Sequence, residues 1–257
     1  MQNNIFSGAF VAQNLVTLKE VDSTNTYLKN ILANSEPVPE GTVIMAESQY
    51  AGRGQQQNKW FAEPGKSLAF SLLLKPAFLP INQQFDLTRI VSLGVHDALQ
   101  PLTGNQLKVK WPNDVYVNQR KLGGILIENQ VQGSTLKSAI VGVGLNINTS
   151  QFPDWVPNAI SLKQILHTDY DLKALLLEIC EAIGKWYIKL QAGETSLIRQ
   201  QYLQALYRFN EEHFYKRNHE VIEGRIVGVT DSGLLEVQQP DGVQRYNLKE
   251  IEFLNNP

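Results

Sequence analysis

The sequence predicts an α+β fold in which a large region of mixed strands and helices is followed by a small all-β region. The chain has 257 residues, which is enough for one large domain plus a small one. Strand and helix patterns are interspersed up to about residue 209, and afterwards only short strand patterns with tight-turn signals remain. We therefore expect a domain over residues 1–210 and a β-barrel of roughly 45 residues over 211–257.

Composition limits the function classes. Hydrophobic residues make up 43% and charged residues 19%, as in ordinary globular proteins. The net charge of -2 and the pI near 6.1 give no support for a nucleic-acid partner. No apolar run reaches the ~20 residues that span a bilayer, and Met1–Phe6 lacks the features of a secretory signal. The chain also begins almost directly with its first strand pattern, so we expect no DNA-reading domain before it.

The single cysteine, Cys180, excludes an intramolecular disulfide and a multi-cysteine metal site. It lies in an apolar helical stretch, and we interpret it as a small buried residue rather than a reactive thiol. A reducing, cytoplasmic location is the expectation that follows.

The elements of the first half follow from hydrophobic periodicity, with possible N-cap residues at Asp22–Asn25 before the first helix. In chain order we predict a strand at Val16–Val21, a helix at Thr26–Ala33, strands at Thr42–Glu47 and Ser67–Leu74, and a helix at Phe85–Leu99. The stretch Ser48–Asn58 is too polar for the core and too glycine-rich for a helix, so we predict a loop there.

The second half begins with apolar residues at every second position, Leu107, Val109 and Trp111, which is the strand period. Further predicted elements are the hairpin Val115–Val117 with Leu122–Glu128, the strand Ala139–Ile147, helices at Leu172–Leu190 and Ser196–Phe209, and short strands at Val221–Val229, Leu234–Val237 and Arg245–Leu248.

The first candidate functional segment is Gly52-Arg53-Gly54. Two glycines allow close approach of a ligand to the backbone, and successive N–H groups can bind an anion. The guanidinium of Arg53 offers a planar set of donors to phosphate or carboxylate. An ordinary polar surface turn explains the same residues.

The second segment, Lys110–Asp114, contains Pro112, which interrupts a sheet ladder and brings Asn113 and Asp114 near a strand end. Asp114 could orient or deprotonate an incoming amine. A turn that uses Asn and Asp for local hydrogen bonds is the alternative.

The third segment is Lys121 with Gly123-Gly124. Two glycines inside a strand weaken it, which favours the close approach of a ligand or of another backbone. Lys121 is either directed into a pocket or extended along the edge of the sheet.

Three other patterns give only weak signals or none. Gly142-Val143-Gly144 lacks the third glycine of a dinucleotide fingerprint, and Gly65-Lys66-Ser67 lacks the first glycine of a P-loop. The four histidines show no metal-ligand spacing, and we predict no metal-binding residues.

Taken together, the loop Gly-Arg-Gly ending in Lys59-Trp60 and the run Lys-Trp-Pro-Asn-Asp followed by Lys-Leu-Gly-Gly-Ile-Leu resemble the two signature regions of the biotin–protein ligases. Two further stretches are similar to other elements of that family, Asp22-Ser23-Thr24-Asn25 and Gly144-Leu145-Asn146-Ile147-Asn148. The resemblance covers nearly the whole chain. It implies a mixed central β-sheet with flanking helices, of the kind found in class II aminoacyl-tRNA synthetases, and a C-terminal SH3-like barrel.

The resemblance also implies ligands: biotin and ATP as substrates, Mg²⁺, and a biotin carboxyl carrier protein or domain as acceptor. Catalytic roles fall to Arg53, Lys121 and Asp114. The biotin-binding set is Ser23, Thr24, Asn25, Gln49, Gly52, Arg53, Lys121 and Gly124. The ATP-binding set is Arg53, Gln55, Asn58, Trp60, Asn113, Lys121 and Asn146.

One segment departs from the family. Its members commonly continue Gly-Arg-Gly with more arginine and another glycine, whereas this chain continues with Gln55-Gln56-Gln57-Asn58. Charged donors bind about twice as strongly as neutral ones. We therefore predict that this loop holds a biotinyl-adenylate less tightly than is usual for the family.

Two other functions remain open at this point: a lipoate–protein ligase, which shares the fold and the adenylation chemistry, and a biotin-binding module with impaired adenylation. A homodimer formed through edge strands is possible.

Overall fold

A computed structural model describes residues 11–34, 37–55 and 58–254. Two sheets organise this part of the chain, and the larger has seven strands in the spatial order β1-β2-β3-β7-β6-β5-β4. Its strands are β1 (Asn14–Val21), β2 (Thr42–Gln49), β3 (Ser67–Leu74), β4 (Leu107–Lys110), β5 (Asp114–Val117), β6 (Arg120–Gln132) and β7 (Thr135–Asn146). Strands β1 and β2 are parallel and the other neighbours are antiparallel, so the predicted mixed central sheet is confirmed.

Helices cover both faces of this sheet. Successive strand residues point to opposite faces, and both faces carry apolar side chains that the helices bury. On one face, helix α1 (Thr24–Asn34) packs Leu28 against Ile44, Leu73 and Ile140. The helices of the larger core are α2 (Phe85–Thr103), α4 (Leu172–Gln191) and α5 (Thr195–Ala205), and the short α3 (Leu162–Leu166) precedes α4. Cys180 of α4 is fully buried as expected, and burial raises the pKa of its thiol to about 12.

The C-terminal region folds into an antiparallel sheet in the order β11-β10-β9-β8-β12, which forms the small SH3-like barrel that the sequence predicts. Its strands are β8 (Glu212–Arg217), β9 (Glu220–Val229), β10 (Leu235–Gln239), β11 (Gly242–Tyr246) and β12 (Glu252–Phe253). The boundary between residues 210 and 211 stays a prediction.

Several element predictions need correction. The helix predicted to reach Phe209 ends at Ala205, because the chain turns to pair Leu206 with Val109 and Tyr207 N donates to the Val109 carbonyl at 2.9 Å. Trp111 belongs to a turn rather than to β4. The helix α3 and the strands β8 and β12 were not predicted from the sequence.

Buried contacts join the two sheets. Arg89 of α2 is 1% exposed, pairs with the buried Asp86, and donates to the carbonyls of Val229 and Thr230 at 3.0 and 2.7 Å. The indole of Trp111 donates to the Gly233 carbonyl at 2.9 Å. The C-terminal sheet is thereby fixed against α2 and against the turn between β4 and β5. None of the helices in the described residues has both the length and the apolar content that a membrane span requires.

Candidate active site

Glycines and a serine keep part of the α1-bearing face of the large sheet open. Ser71, Gly124, Gly142 and Gly144 share this face with Leu73 and Ile140, as the strand register shows. The open area forms the floor of a cavity of about 500 Å³. A Cβ on Gly142 would lie 2.4 Å from Asn25 Oδ1, and one on Gly144 would lie 2.6 Å from the Trp60 ring. Both glycines are therefore required by neighbours that line the cavity.

The first wall is built where β1 leads into α1. The side-chain oxygen of Gln49, Oε1, accepts from Thr24 N at 2.8 Å and from Thr24 Oγ1 at 3.2 Å. This fixes the amide of Gln49, whose NH₂ group makes no hydrogen bond to another described residue. Ser23 lines the same wall.

Asn25 is 3% exposed, and protein groups engage both ends of its side chain. Its Oδ1 accepts from Ser71 Oγ at 2.6 Å, and its Nδ2 donates to Glu128 Oε2 at 2.8 Å. Asn25 therefore lines the cavity, but its amide is used to hold the cavity floor together.

The loop after β2 forms the second wall. Its ends are held together by hydrogen bonds from Trp60 N to the Gly52 carbonyl, 2.9 Å, and from Gly54 N to the Asn58 carbonyl, 2.7 Å. A Cβ on Gly52 would lie 2.7 Å from the Trp60 carbonyl, so only glycine fits there. Trp60 Nε1 is buried and has no protein partner, which leaves it available to a ligand oxygen. Gln56 and Gln57 lie outside the described residues.

The third wall carries the charges. Lys121 Nζ lies 2.7 Å from Asp114 Oδ1 and 5.9 Å from the centroid of the Trp60 ring. Asn113 closes the turn before β5, because its side-chain amide donates to the Ile125 carbonyl and its own carbonyl accepts from Ile125 N.

Lys110 adds a second cation to this wall. Its ammonium lies 4.7 Å from the Tyr116 ring centroid and 4.9 Å from that of Phe253. Burial lowers the pKa of Lys110, and the nearby Asp114 carboxylate opposes this effect. Lys110 was not among the site residues predicted from the sequence.

Most predicted site residues line this one cavity. They are Ser23, Thr24, Asn25, Gln49, Arg53, Gln55, Asn58, Trp60, Asn113, Asp114, Lys121 and Gly124. Two predicted residues, Gly52 and Asn146, do not line the cavity. Gly52 packs against Trp60 where the two ends of the loop meet, and Asn146 is buried with its amide 3.5 Å from the Lys121 carbonyl.

The C-terminal region supplies a part of the rim that was not predicted from the sequence. Its lining residues are Leu248, Lys249, Ile251, Glu252 and Phe253. No local pattern predicts this contribution, since it depends on how the second sheet packs on the first. The alternation of Gly142 and Gly144 was a usable signal for the floor, because the two glycines must share one face of a strand.

The cavity combines cations, glycine-lined backbone and one carboxylate next to a lysine. Among the described residues, no group of three or more His, Cys, Asp or Glu side chains is arranged to hold a metal. The cations and the glycine-lined backbone suit a ligand with an anionic centre near Lys121.

Comparison with known proteins gives consistent matches. Residues 17–146 match the biotin/lipoate A/B protein ligase family, and residues 216–253 match the biotin protein ligase C terminal domain. The chain is 26% identical to the bifunctional ligase/repressor BirA of Bacillus spizizenii, over 95% of this chain and 75% of that protein. It is 28% identical to the biotin–[acetyl-CoA-carboxylase] ligase of Paracoccus denitrificans, over 92% of this chain and 99% of that protein.

The structure is similar to that of the biotin protein ligase from Aquifex aeolicus in complex with biotin and ATP. The TM-score is 0.79 at 29% sequence identity, and the match covers 94% of this chain and 99% of the other. Since the family match spans 130 of the 257 residues, from 17 to 146, this chain belongs to the biotin/lipoate A/B protein ligase family.

Proposed function

We propose that this protein is an ATP-dependent biotin–protein ligase. It forms biotinyl-5'-AMP with release of pyrophosphate and then transfers biotin to a lysine of a biotin carboxyl carrier protein. The observation that carries the proposal is the Lys121–Asp114 pair at 2.7 Å, on the wall of a cavity whose other residues suit a ring system and a nucleotide. Its resemblance to the Aquifex ligase, which binds biotin and ATP, supports the choice of substrates.

Biotin occupies the side of the cavity next to α1. Ser23 and the fixed amide of Gln49 face the polar ring of biotin, with Thr24 holding Gln49 in place. Gly124 allows the ligand to approach the Lys121–Asp114 pair closely. A Cβ at this position would lie 3.3 Å from Asp114 Oδ1 and 3.6 Å from Lys121 Nζ. Asn25 and Gly52 act by shaping this wall.

ATP occupies the side next to Trp60. The free indole N–H of Trp60 donates to the nucleotide, and Gln55, Asn58 and Asn113 line the same region. Asn146 supports the backbone of Lys121 rather than the nucleotide directly. Lys249, on the rim, adds a cation toward the triphosphate.

In the first step the biotin carboxylate attacks the α-phosphorus of ATP, and pyrophosphate leaves. Lys121 and Arg53 hold the two anions together and stabilise the charge that develops, which are the two contributions that such a transfer requires. When bound, Mg²⁺ supplies further neutralisation of the phosphates. Mg²⁺ usually takes one or two protein carboxylates plus phosphate oxygens, and Glu252, on the rim of the cavity, would be the carboxylate available to hold it.

In the second step the acceptor lysine attacks the carbonyl carbon of the mixed anhydride, and AMP leaves. Asp114 receives the lysine ammonium and accepts its proton, while Lys121 remains beside the departing phosphate. No covalent enzyme intermediate is required.

Two further proposals, one on cellular location and one on assembly, accompany this function. The enzyme works in the cytoplasm, where its single thiol stays reduced. Strand β1 is an outer strand of the large sheet, and a second copy of the chain pairs there to form a homodimer. Light scattering on the purified protein tests the dimer.

Isotope exchange between pyrophosphate and ATP tests the first step. We expect exchange that requires biotin and is not supported by lipoate. Exchange with lipoate alone identifies a lipoate ligase, and biotin binding without exchange identifies a binding module.

A further inference from the structure

Glu128, on β6, lies outside the cavity lining but is hydrogen-bonded to two residues that line it. Its Oε2 accepts from Asn25 Nδ2 at 2.8 Å and from Arg53 Nη2 at 3.1 Å. Asn25 is in turn fixed by Ser71 Oγ. A chain of hydrogen bonds therefore runs from the buried Ser71 through Asn25 and Glu128 to the guanidinium of Arg53.

The hydrogen-bond series ends on a loop that has few other hydrogen bonds to the rest of the protein. Residues 52–55 and 58–60 are hydrogen-bonded mainly to one another through their backbones. Among the described residues of that loop, Arg53 makes the one side-chain hydrogen bond to the large sheet, and Trp60 packs on Gly144.

The chemistry of Glu128 fits an anchor. A carboxylate oxygen accepts two donors at once, and the pair with Arg53 is charge-assisted. The side chains are 27% and 44% exposed, so the pair is weak enough to open when a ligand competes for Arg53. The Asn25 side is buried, so the carboxylate keeps its place when Arg53 leaves.

We propose that Glu128 is a positioning residue that anchors the loop residues 52–55 and 58–60 to the floor of the biotin side of the cavity and presents Arg53 to the substrate carboxylate. The role of Arg53 rests on the proposed biotin-ligase function, whereas the anchoring of the loop does not. Glu128 touches no reacting atom and acts through Arg53.

The test compares Glu128→Gln with Glu20→Gln in the full-length protein. The glutamine at 128 keeps the size of the side chain and removes the charge, and Glu20 is an exposed carboxylate on β1 with no ion pair to the loop. Limited trypsin digestion without ligands, followed by mass spectrometry, measures cleavage of the Arg53–Gly54 and Lys59–Trp60 bonds. Steady-state assays measure kcat and the KM for biotin.

We expect Glu128→Gln to speed cleavage at these two bonds by about two- to five-fold, the range that an exposed ion pair supports. Cleavage elsewhere and the thermal midpoint should match those of Glu20→Gln. The KM for biotin should rise by a similar factor while kcat stays nearly constant, a split that general loosening of the fold does not produce.

Loop cleavage at the rate of Glu20→Gln would overturn the anchor. Faster loop cleavage with an unchanged KM for biotin would overturn the positioning role. If neither protein uses biotin, the proposed function fails, but the digestion still decides whether Glu128 holds the loop.

Discussion

Lys121 Nζ lies 2.7 Å from Asp114 Oδ1, where β5 and β6 pair and Gly124 stands opposite Asp114. The pair brings the cation proposed for adenylation into contact with the carboxylate proposed to receive the acceptor lysine. The two chemical steps therefore share one ion pair, and each can be tested by changing one partner.

Replacing Asp114 by Asn should separate the steps. Biotin-dependent release of the first pyrophosphate should persist, because Lys121 and Arg53 remain. Transfer to a carrier domain should fall about 100-fold or more, since a positioned acid–base group is lost. Rapid-quench assays of each step measure this, with Asp169→Asn, which removes an exposed ion pair at 2.9 Å to Lys163, as control. Equal loss of both steps would contradict the assignment.

Replacing each of two glycines of the cavity floor, Gly142 and Gly144, should raise the KM for a different substrate. A methyl group at 144 would strike the Trp60 ring, and one at 142 would strike Asn25 Oδ1. Overpacking of this kind costs about 1–3 kcal/mol, so we expect Gly144→Ala to raise the KM for ATP about ten-fold and Gly142→Ala to do so for biotin. Each variant is the control of the other in steady-state kinetics, and the reverse pattern would show that the two ends of the cavity are misassigned.

Gln55 stands at the first position where the family commonly carries arginine. The predicted weak retention of the adenylate should be corrected by Gln55→Arg, because a charged donor contributes about 1 kcal/mol more than a neutral one, or roughly five-fold in release rate. Single-turnover release of biotinyl-adenylate measures the effect, and Gln119→Arg, in the β5–β6 turn, is the matched control. Release from the unmodified protein that is already as slow as from arginine-containing relatives would refute the prediction.

Arg89 should be critical for the junction between the two sheets. Arg89→Met leaves the buried Asp86 with the more distant Arg199, 3.4 Å away, and removes two hydrogen bonds to the C-terminal sheet. We expect a loss of about 3–5 kcal/mol in the free energy of unfolding, as for other broken buried pairs.

Urea denaturation measures this loss. The control is Arg245→Met, whose exposed pair with Glu236 should be worth less than about 1 kcal/mol. A loss of similar size in both variants would mean that Arg89 does not fasten the junction.

Much of the fold could be predicted because its strands and long helices have clear periodicity. Strand Ser67–Leu74 has the predicted bounds, and the other strands of the large sheet differ mainly at their ends. Strand β8 was missed because Glu212–Arg217 is polar and half-exposed, so it shows no hydrophobic alternation. The end of α5 depends on pairing between Leu206 and Val109, almost a hundred residues apart, and no local signal reports it.

The candidate site likewise contains residues that the sequence predicts and residues that it does not. Arg53, Asp114 and Lys121 stand in short motifs whose composition is unusual enough to attract attention, and all three line the cavity. Glu128 could not be found in this way, and the contacts of Lys110 could not be predicted from its motif, because the partners of both residues are distant in sequence. Glu128 meets Asn25 and Arg53, 103 and 75 residues away, and Lys110 meets the ring of Phe253.

The measurement that tests the central claim most directly is transfer of labelled biotin to a biotin carboxyl carrier domain in the presence of ATP and Mg²⁺. The account predicts label on the carrier in an alkali-stable amide, and none on a carrier whose acceptor lysine is replaced by arginine. An unlabelled carrier in the presence of a protein that binds biotin, or a carrier domain that accepts lipoate instead, would contradict it.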